Sequence, residues 1–324
     1  MTVLEAPART EKGNTHDKFH QLVARAQKFP PVKVAIAHPC DQVSLESALA
    51  AADMKLIEPI LVGPEHRIRE VASKHGFDIS KFEIVDAEHS HGSAAKAVEL
   101  VRGGRAEALM KGSLHTDELM SAVVKRDTGL RTARRISHCF VMDVPGHDQP
   151  LIISDAAVNI APDLKTKVDI IQNAIDLAHA LSPNEVRVAI LSAMESVNPD
   201  VPSTVEAAAL CKMADRGQIT GAIVDGPLAL DNAISTEAAA IKKISSPVAG
   251  RANVLIVPDL EAGNMLAKSL SFLADADAAG IVLGAKVPII LTSRADEEMA
   301  RLASCAVAQL LVAARRSDAA AAIR

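Results

Sequence analysis

Short runs rich in Val, Ile and Leu alternate with longer amphipathic stretches along most of the chain, and this alternation constrains the fold most. VKVAIAHP (32–39) reads as a strand and DQVSLESALAAADM (41–54) as a helix capped by Asp41. The order repeats: IEPILVGP (57–64) and a helix stopped at Gly76, then FEIVDA (82–87) and SAAKAVELVRGG (93–104). EALMKG (107–112) and HTDELMSAVVKR (115–126) follow. Such repetition builds a parallel doubly wound sheet. With six Phe, no Trp and no Tyr, the filling falls to Ala, Val, Ile and Leu, as suits a parallel sheet covered by helices.

The pattern changes near residue 127. DTGLRTARRIS (127–137) is polar, basic and irregular, and a domain boundary is placed there. HCFVMDVPG (138–146) and QPLIISDAAV (149–158) then read as a strand hairpin. A long helix (163–181), the strand RVAILSA (187–193), a helix from Ser203 and the strand GAIVDGPLAL (221–230) continue the second unit. A helix near 235–243, the strand ANVLIVPD (252–259), a helix from 262 and the strand KVPIILTS (286–293) complete it. The helix in ADEEMARLASCAVAQLLVAA is expected to begin near Asp296 and dock back on the first unit. The division is 1–137 plus 294–324 for the first unit and 138–293 for the second, with 1–14 a flexible tail.

Composition narrows the function. Length and apolar content suit about two domains with large cores. A net charge of −5 with mixed signs gives no basic footprint for nucleic acid. The four cysteines, widely spaced and without C-x-x-C, indicate neither zinc nor a redox pair, and a reducing cytoplasm is expected. The polar start is not read as a signal peptide, and no apolar run reaches membrane-spanning length.

In doubly wound sheets ligands bind at the carboxyl ends of the strands. Lys111, Gly112 and Ser113 stand between a strand and a helix opened by His115 and Thr116, where free N–H groups and a cation favour an anion. Asp155, Asn159 and Asp163 break a later strand, and Asp163 suits a helix cap. Ser203 stands in a turn-rich loop and caps a helix; Asp225, Gly226 and Pro227 mark a strand end where backbone approaches closely. Arg251 precedes a strand, and Gly263 and Asn264 open a helix after Asp259. In LTSRADEEMA (291–300), Ser293, Arg294 and Asp296 put a hydroxyl, a cation and a carboxylate within four residues. Each suits an ordinary turn or cap, but together they suggest a cleft for a small polyanionic ligand. No dinucleotide fingerprint, P-loop, H-E-x-x-H or G-x-S-x-G is present.

Four segments carry a resemblance: LMKGSLHT (109–116), MADRGQITGAIVDGPLALD (213–231), SPVAGRANVLIVPDLEAGN (246–264) and VPIILTSRAD (287–296). In this order and spacing, from about residue 30 to 315, the chain resembles the phosphate acetyl/butyryltransferase family. The resemblance implies reversible conversion of acyl-CoA and phosphate to acyl phosphate and CoA, acetyl-CoA being the first choice and butyryl-CoA the alternative. It implies two α/β domains with a cleft between them, as in the isocitrate and isopropylmalate dehydrogenase fold, the C-terminal helix completing the first. It also implies a homodimer, no metal, no permanently bound cofactor, and coenzyme A, phosphate and acyl phosphate as small-molecule partners.

The same resemblance assigns Ser293 to transition-state stabilisation, Arg294 to CoA or phosphate charge, and Asp296, with Glu298 in reserve, to the base. Acetyl-type members often carry an arginine where Ala122 stands here. The phosphate cation then comes from Lys111, Arg131, Arg134 or Arg135. Direct transfer in a ternary complex is expected, with Cys139 and Cys305 buried rather than acylated. The distant alternative is a metal- and NAD-dependent decarboxylating dehydrogenase of the same fold, for which Asp225, Asp231 and Asp259 are the acidic residues available.

Overall fold

The computed structural model describes residues 17–292 and 296–322. The tail reading for 1–14 lies outside them, as do Ser293 and Arg294. The first unit contains β1 (Val32–Ala37), α2 (Gln42–Asp53), β2 (Ile57–Gly63), α3 (Glu65–His75), β3 (Glu83–Asp86), α4 (Ser90–Arg102), β4 (Ala108–Lys111) and α5 (Thr116–Val123), preceded by α1 (Asp17–Ala26). β5 (Ser137–Asp143) and β6 (Leu151–Ser154) form the expected antiparallel pair. Next come α6 (Leu164–Leu181), β7 (Arg187–Leu191), α7 (Pro202–Asp215), β8 (Ile223–Leu228), α8 (Leu230–Ile234), α9 (Thr236–Ile241), β9 (Val254–Ile256) and α10 (Leu260–Leu273). β10 (Asp277–Leu283), β11 (Ile289–Ile290) and α11 (Glu298–Ala322) end the described chain.

Local chemistry accounts for many boundaries. Asp41, Asp163 and Asp259 accept from Ser44 N–H, Thr166 N–H and Ala262 N–H, each at 2.8 Å, and cap α2, α6 and α10. Gly76 ends α3 at φ 69°, in the left-handed region that glycine enters without a Cβ clash. The structure differs from the expectations at several places. The α7 helix begins at Pro202, so Ser203 lies in its first turn and caps nothing. The helix near 235–243 is two short helices, and α10 begins before Gly263. The last helix begins at Glu298, two residues after Asp296. Both α1 and β10 are additional to the sequence reading.

Among the described residues one sheet runs β3-β2-β1-β4-β11-β10-β5-β6-β9-β7-β8. It is mostly parallel; the antiparallel ladders are β11–β10, β10–β5 and β5–β6. The sheet therefore crosses residue 137 without a break. One face carries a core shared by both halves, with Phe19, Leu45, Ile171, Leu210 and Leu302. The other face carries two separate cores, one with Val98, Leu109 and Leu119, the other with Ile153, Leu255 and Ala267. Beyond the first unit, α11 reaches α6 and β10 as well as α1 and α2, so it spans the halves.

The direction of the strands matters for any site. β9 runs opposite to β1, six strand steps away in the sheet. A twist of about 20–25° per step turns the sheet by about 120–150° over that distance. Two locally opposed sets of strands are thereby rotated until their carboxyl ends point to within about 30–60° of each other.

Candidate active site

At the first unit's strand ends, backbone geometry selects the residues around Lys111. A Cβ on Gly112 would sit 2.4 Å from the Ala37 carbonyl oxygen and 2.6 Å from that of His38. The Ser113 hydroxyl donates to the His38 carbonyl at 2.8 Å, so both residues clamp the β4 turn onto β1. The Lys111 ammonium lies 3.4 Å from the Gly112 carbonyl oxygen. His115 and Thr116 are exposed at the start of α5, and the His115 N–H donates to Glu118 at 2.8 Å. Glu118 also accepts from the Ser90 hydroxyl at 2.6 Å and lies 3.3 Å from His91 Nε2, and its hydrogen bonds, Ser90 first and then the His115 N–H, hold its pKa below the ordinary value. The sequence reading passed over Glu118, although its position three residues after a helix-opening residue is a capping-box signal. It also passed over His38, buried with Nδ1 3.0 Å from the Ser93 hydroxyl and its pKa lowered, first by burial and then by Arg67.

A second group forms around Asp155. Its buried carboxylate accepts from the N–H groups of Ala157, Val158 and Asn159 at 3.0, 3.1 and 3.1 Å, and from the Asn159 side chain. The Asn159 amide also donates to the Ile136 carbonyl at 2.9 Å. Asn264 donates to the Ala156 carbonyl at 3.3 Å, and a Cβ on Gly263 would meet the Asp155 carbonyl oxygen at 2.9 Å. Asn159, Gly263 and Asn264 are thus brought onto one turn. His138, also missed in the sequence, sits buried near it with its ring 4.4 Å from Phe140. Burial pushes its pKa down to about 4, with Asp155 opposing.

Gly280 links this floor to the chain just before Ser293, which lies outside the described residues. A Cβ there would lie 2.6 Å from the Leu291 carbonyl oxygen and 3.1 Å from His138 Nε2. Leu291 is two residues before Ser293. The Asp296 carbonyl accepts from the Arg301 guanidinium, and Asp296 is half-buried while Glu298 is exposed.

The remaining candidates divide. The Ser203 hydroxyl is 2.8 Å from that of Ser192 at the end of β7. Beside it, a Cβ on Gly226 would lie 2.7 Å from the Ile190 carbonyl oxygen, so the close approach expected there is to β7 itself. Asp225 accepts from the Gly226 N–H at 2.9 Å, and Pro227 follows a cis peptide bond. Because these three residues lie inside β8, the expectation of a strand end is corrected. Arg251 is exposed in a turn, its N–H donating to the Val248 carbonyl at 2.9 Å. Arg131 bridges to Ala285, and the Arg135 N–H donates to Asp169 at 2.9 Å. Arg134 pairs with Asp176 of α6, which takes it away from the turn around Asn159.

Residues 91–308 match the family described as Phosphate acetyl/butaryl transferase. The chain is 63% identical over 306 residues to a phosphate acetyltransferase of Rhizobium meliloti, covering 94% of this chain and 97% of that protein. This chain belongs to the phosphate acetyl/butyryltransferase family. It is also 42% identical to a phosphate butyryltransferase of Clostridium beijerinckii, over 91% of this chain and 98% of that one. A branched-chain phosphotransacylase from Enterococcus faecalis V583 shares the fold with a TM-score of 0.77 at 31% identity, covering 87% of this chain and 99% of that chain. The chain is an acyltransferase with the mixed α/β fold and large, mostly parallel sheet of phosphotransacylases.

For an acyltransferase the thiols need to be placed. Burial pushes Cys40 up to about 11 and Cys139, Cys211 and Cys305 up to about 12. A thiol so raised stays protonated near neutrality and is a poor nucleophile. Among the described residues no group of three or more His, Cys, Asp or Glu assembles as a metal site, and no helix is long and apolar enough to cross a membrane.

Proposed function

We propose that this family member catalyses reversible acyl transfer between coenzyme A and phosphate, with acetyl as the preferred acyl group. The observation carrying the reading is the 63% identity to a phosphate acetyltransferase, against 42% to a butyryltransferase. Toward acyl-CoA, Asp296 takes the proton of the CoA thiol while sulfur attacks the carbonyl of the acyl phosphate. The tetrahedral oxyanion takes a hydrogen bond from Ser293. Collapse expels phosphate, whose charge is met by Arg294 and Lys111 with Arg131 or Arg135. Asp296 suits the base better than Glu298 because Arg301 anchors its backbone and it is only partly exposed, whereas Glu298 is exposed. The raised thiols of Cys139 and Cys305 support direct transfer in a ternary complex over an acyl-enzyme.

The same reading takes the halves as two domains of isocitrate-dehydrogenase-like arrangement, their cleft opening between the two separate cores over β10 and β5. Asn159, Ser203, Asp225, Gly226, Pro227, Arg251, Gly263 and Asn264 then serve the second domain's wall, and Gly112, Ser113, His115 and Thr116 the first. Coenzyme A acts as substrate and no cofactor is held permanently. The enzyme is cytoplasmic and homodimeric, and a self-association face is offered by Met265, Phe272 and Leu273 of α10, exposed at 62%, 82% and 86%. The test is thiol release on adding phosphate to acetyl-, propionyl- and butyryl-CoA. Release fastest with acetyl-CoA is expected, and no phosphate-dependent release from any of them would sink the reading.

A further inference from the structure

We propose that a second anion site lies between α6 and α11 and takes a small molecule carrying two or more phosphate charges. A cavity of about 460 Å³ opens there, lined by Arg134, Lys286 and Arg315 with Thr132, Asn173 and Asp176. That volume is of the size that holds small ligands. Asp176 is the one carboxylate of the lining, so three cations less one carboxylate leave a formal charge of +2.

Asp176 is moreover already engaged. One of its oxygens takes Arg134, and the other takes the Gln172 amide at 3.2 Å. Arg315 donates to the Lys286 carbonyl at 3.3 Å. Neither Arg315 nor Lys286 forms an ion pair among the described residues. Although Arg315 keeps an open surface, protein atoms crowd its guanidinium. Loss of water lowers its pKa, Arg134 lowers it further, and Asp176 opposes. A positive charge disfavoured by its surroundings is stabilised by an arriving anion, and guanidinium forks bind phosphate oxygens in pairs. Phosphates supply that much charge on a compact head.

The site is separate from the candidate active site because strand side chains alternate between faces. The Ser137 hydroxyl takes the Asn173 amide of α6 at 2.9 Å, which puts α6 on Ser137's face. His138, the next residue, points to the other face, toward Phe140 and Gly280. The cavity lies with α6, behind the sheet as seen from the floor around Asp155.

The test is calorimetric titration of the full chain with tripolyphosphate in saturating CoA, which fills the site that handles CoA phosphates. One site is expected, weakening as salt rises. Lys286→Gln combined with Arg315→Gln should lose at least roughly tenfold in affinity while phosphate-dependent CoA release stays native. ATP titrated in the same way separates sources: tighter binding than tripolyphosphate assigns a nucleoside phosphate, and equal binding assigns charge alone. No binding to the native chain, or undiminished binding to the double variant, overturns the proposal.

Discussion

A histidine buried neutral makes a protein sensitive to acid in a calculable way. His138 is 3% exposed, its Nδ1 is buried without a hydrogen-bond partner among the described residues, and its pKa is pushed down to about 4 by burial. In the unfolded chain it titrates near the ordinary value of about 6.5. Above that pH both states are neutral and the group contributes nothing to pH dependence. Between about 6.5 and 4 the unfolded chain binds a proton that the folded chain refuses, so stability falls as pH falls, by about 1.4 kcal/mol per unit. The full loss is about 3 kcal/mol, of which about 2 kcal/mol accrues by pH 5. His138→Gln removes the titrating group and leaves other acid-sensitive carboxylates in place. Urea unfolding followed by circular dichroism, on both proteins at pH 7, 6 and 5, isolates the effect. The native-minus-variant stability difference is expected to fall by about 2 kcal/mol across the series. A difference that stays flat would refute the account of a neutral, buried imidazole.

Four further outcomes are expected. Ser293→Ala should lower turnover by about 10²–10³-fold with CoA binding near native, and equal losses in both would remove its transition-state role. In steady-state assays Asp296→Asn should be severe and Glu298→Gln mild; near-normal turnover in both would show that neither is the base. Gly112→Ala, forcing a Cβ to 2.4 Å from the Ala37 carbonyl oxygen, should destabilise by about 1–3 kcal/mol or more, and an unchanged melting temperature would contradict that contact. In the proposed homodimer, Phe272→Glu with Leu273→Glu should give a monomer in sedimentation velocity where the native chain sediments as a dimer; a native monomer would overturn the proposed dimer, and a dimer retained by the variant would exclude the α10 face.

How far the fold could be read from sequence depends on whether the cause of each element is local. The βα repetition and the caps at Asp41, Asp163 and Asp259 were readable because apolar runs and short polar side chains act within four residues. The α1 helix was not, since its start is secured from 124 residues away by the Phe19 N–H bond to Asp143 at 2.9 Å. Nor was β10. Its sequence DAAGIVL opens with small residues, and its place is set by antiparallel pairing to β5 and β11. Gly280 within it is small because Leu291 and His138 crowd it, a reason visible only in three dimensions.

The candidate site divides along the same line. Polar residues at strand ends announced Gly112, Ser113 and Asn159, because a doubly wound topology makes those positions the natural binding edge. Sequence proximity misleads wherever neighbouring residues part company. Arg134 and Arg135 stand together in a basic stretch and look interchangeable as phosphate cations. The structure gives the Arg134 side chain to Asp176 of α6, while the Arg135 segment continues through Ile136, whose carbonyl takes the Asn159 amide. Neither arginine lies in a strand, and the Arg135 backbone is itself held to α6 through its N–H on Asp169 and its carbonyl on Asn173, so what parts the pair is the salt bridge that engages Arg134 with Asp176. Arg134→Gln should therefore act through the cavity behind the sheet, weakening tripolyphosphate binding while phosphate-dependent CoA release stays near native, and unchanged binding would exclude its guanidinium from that site.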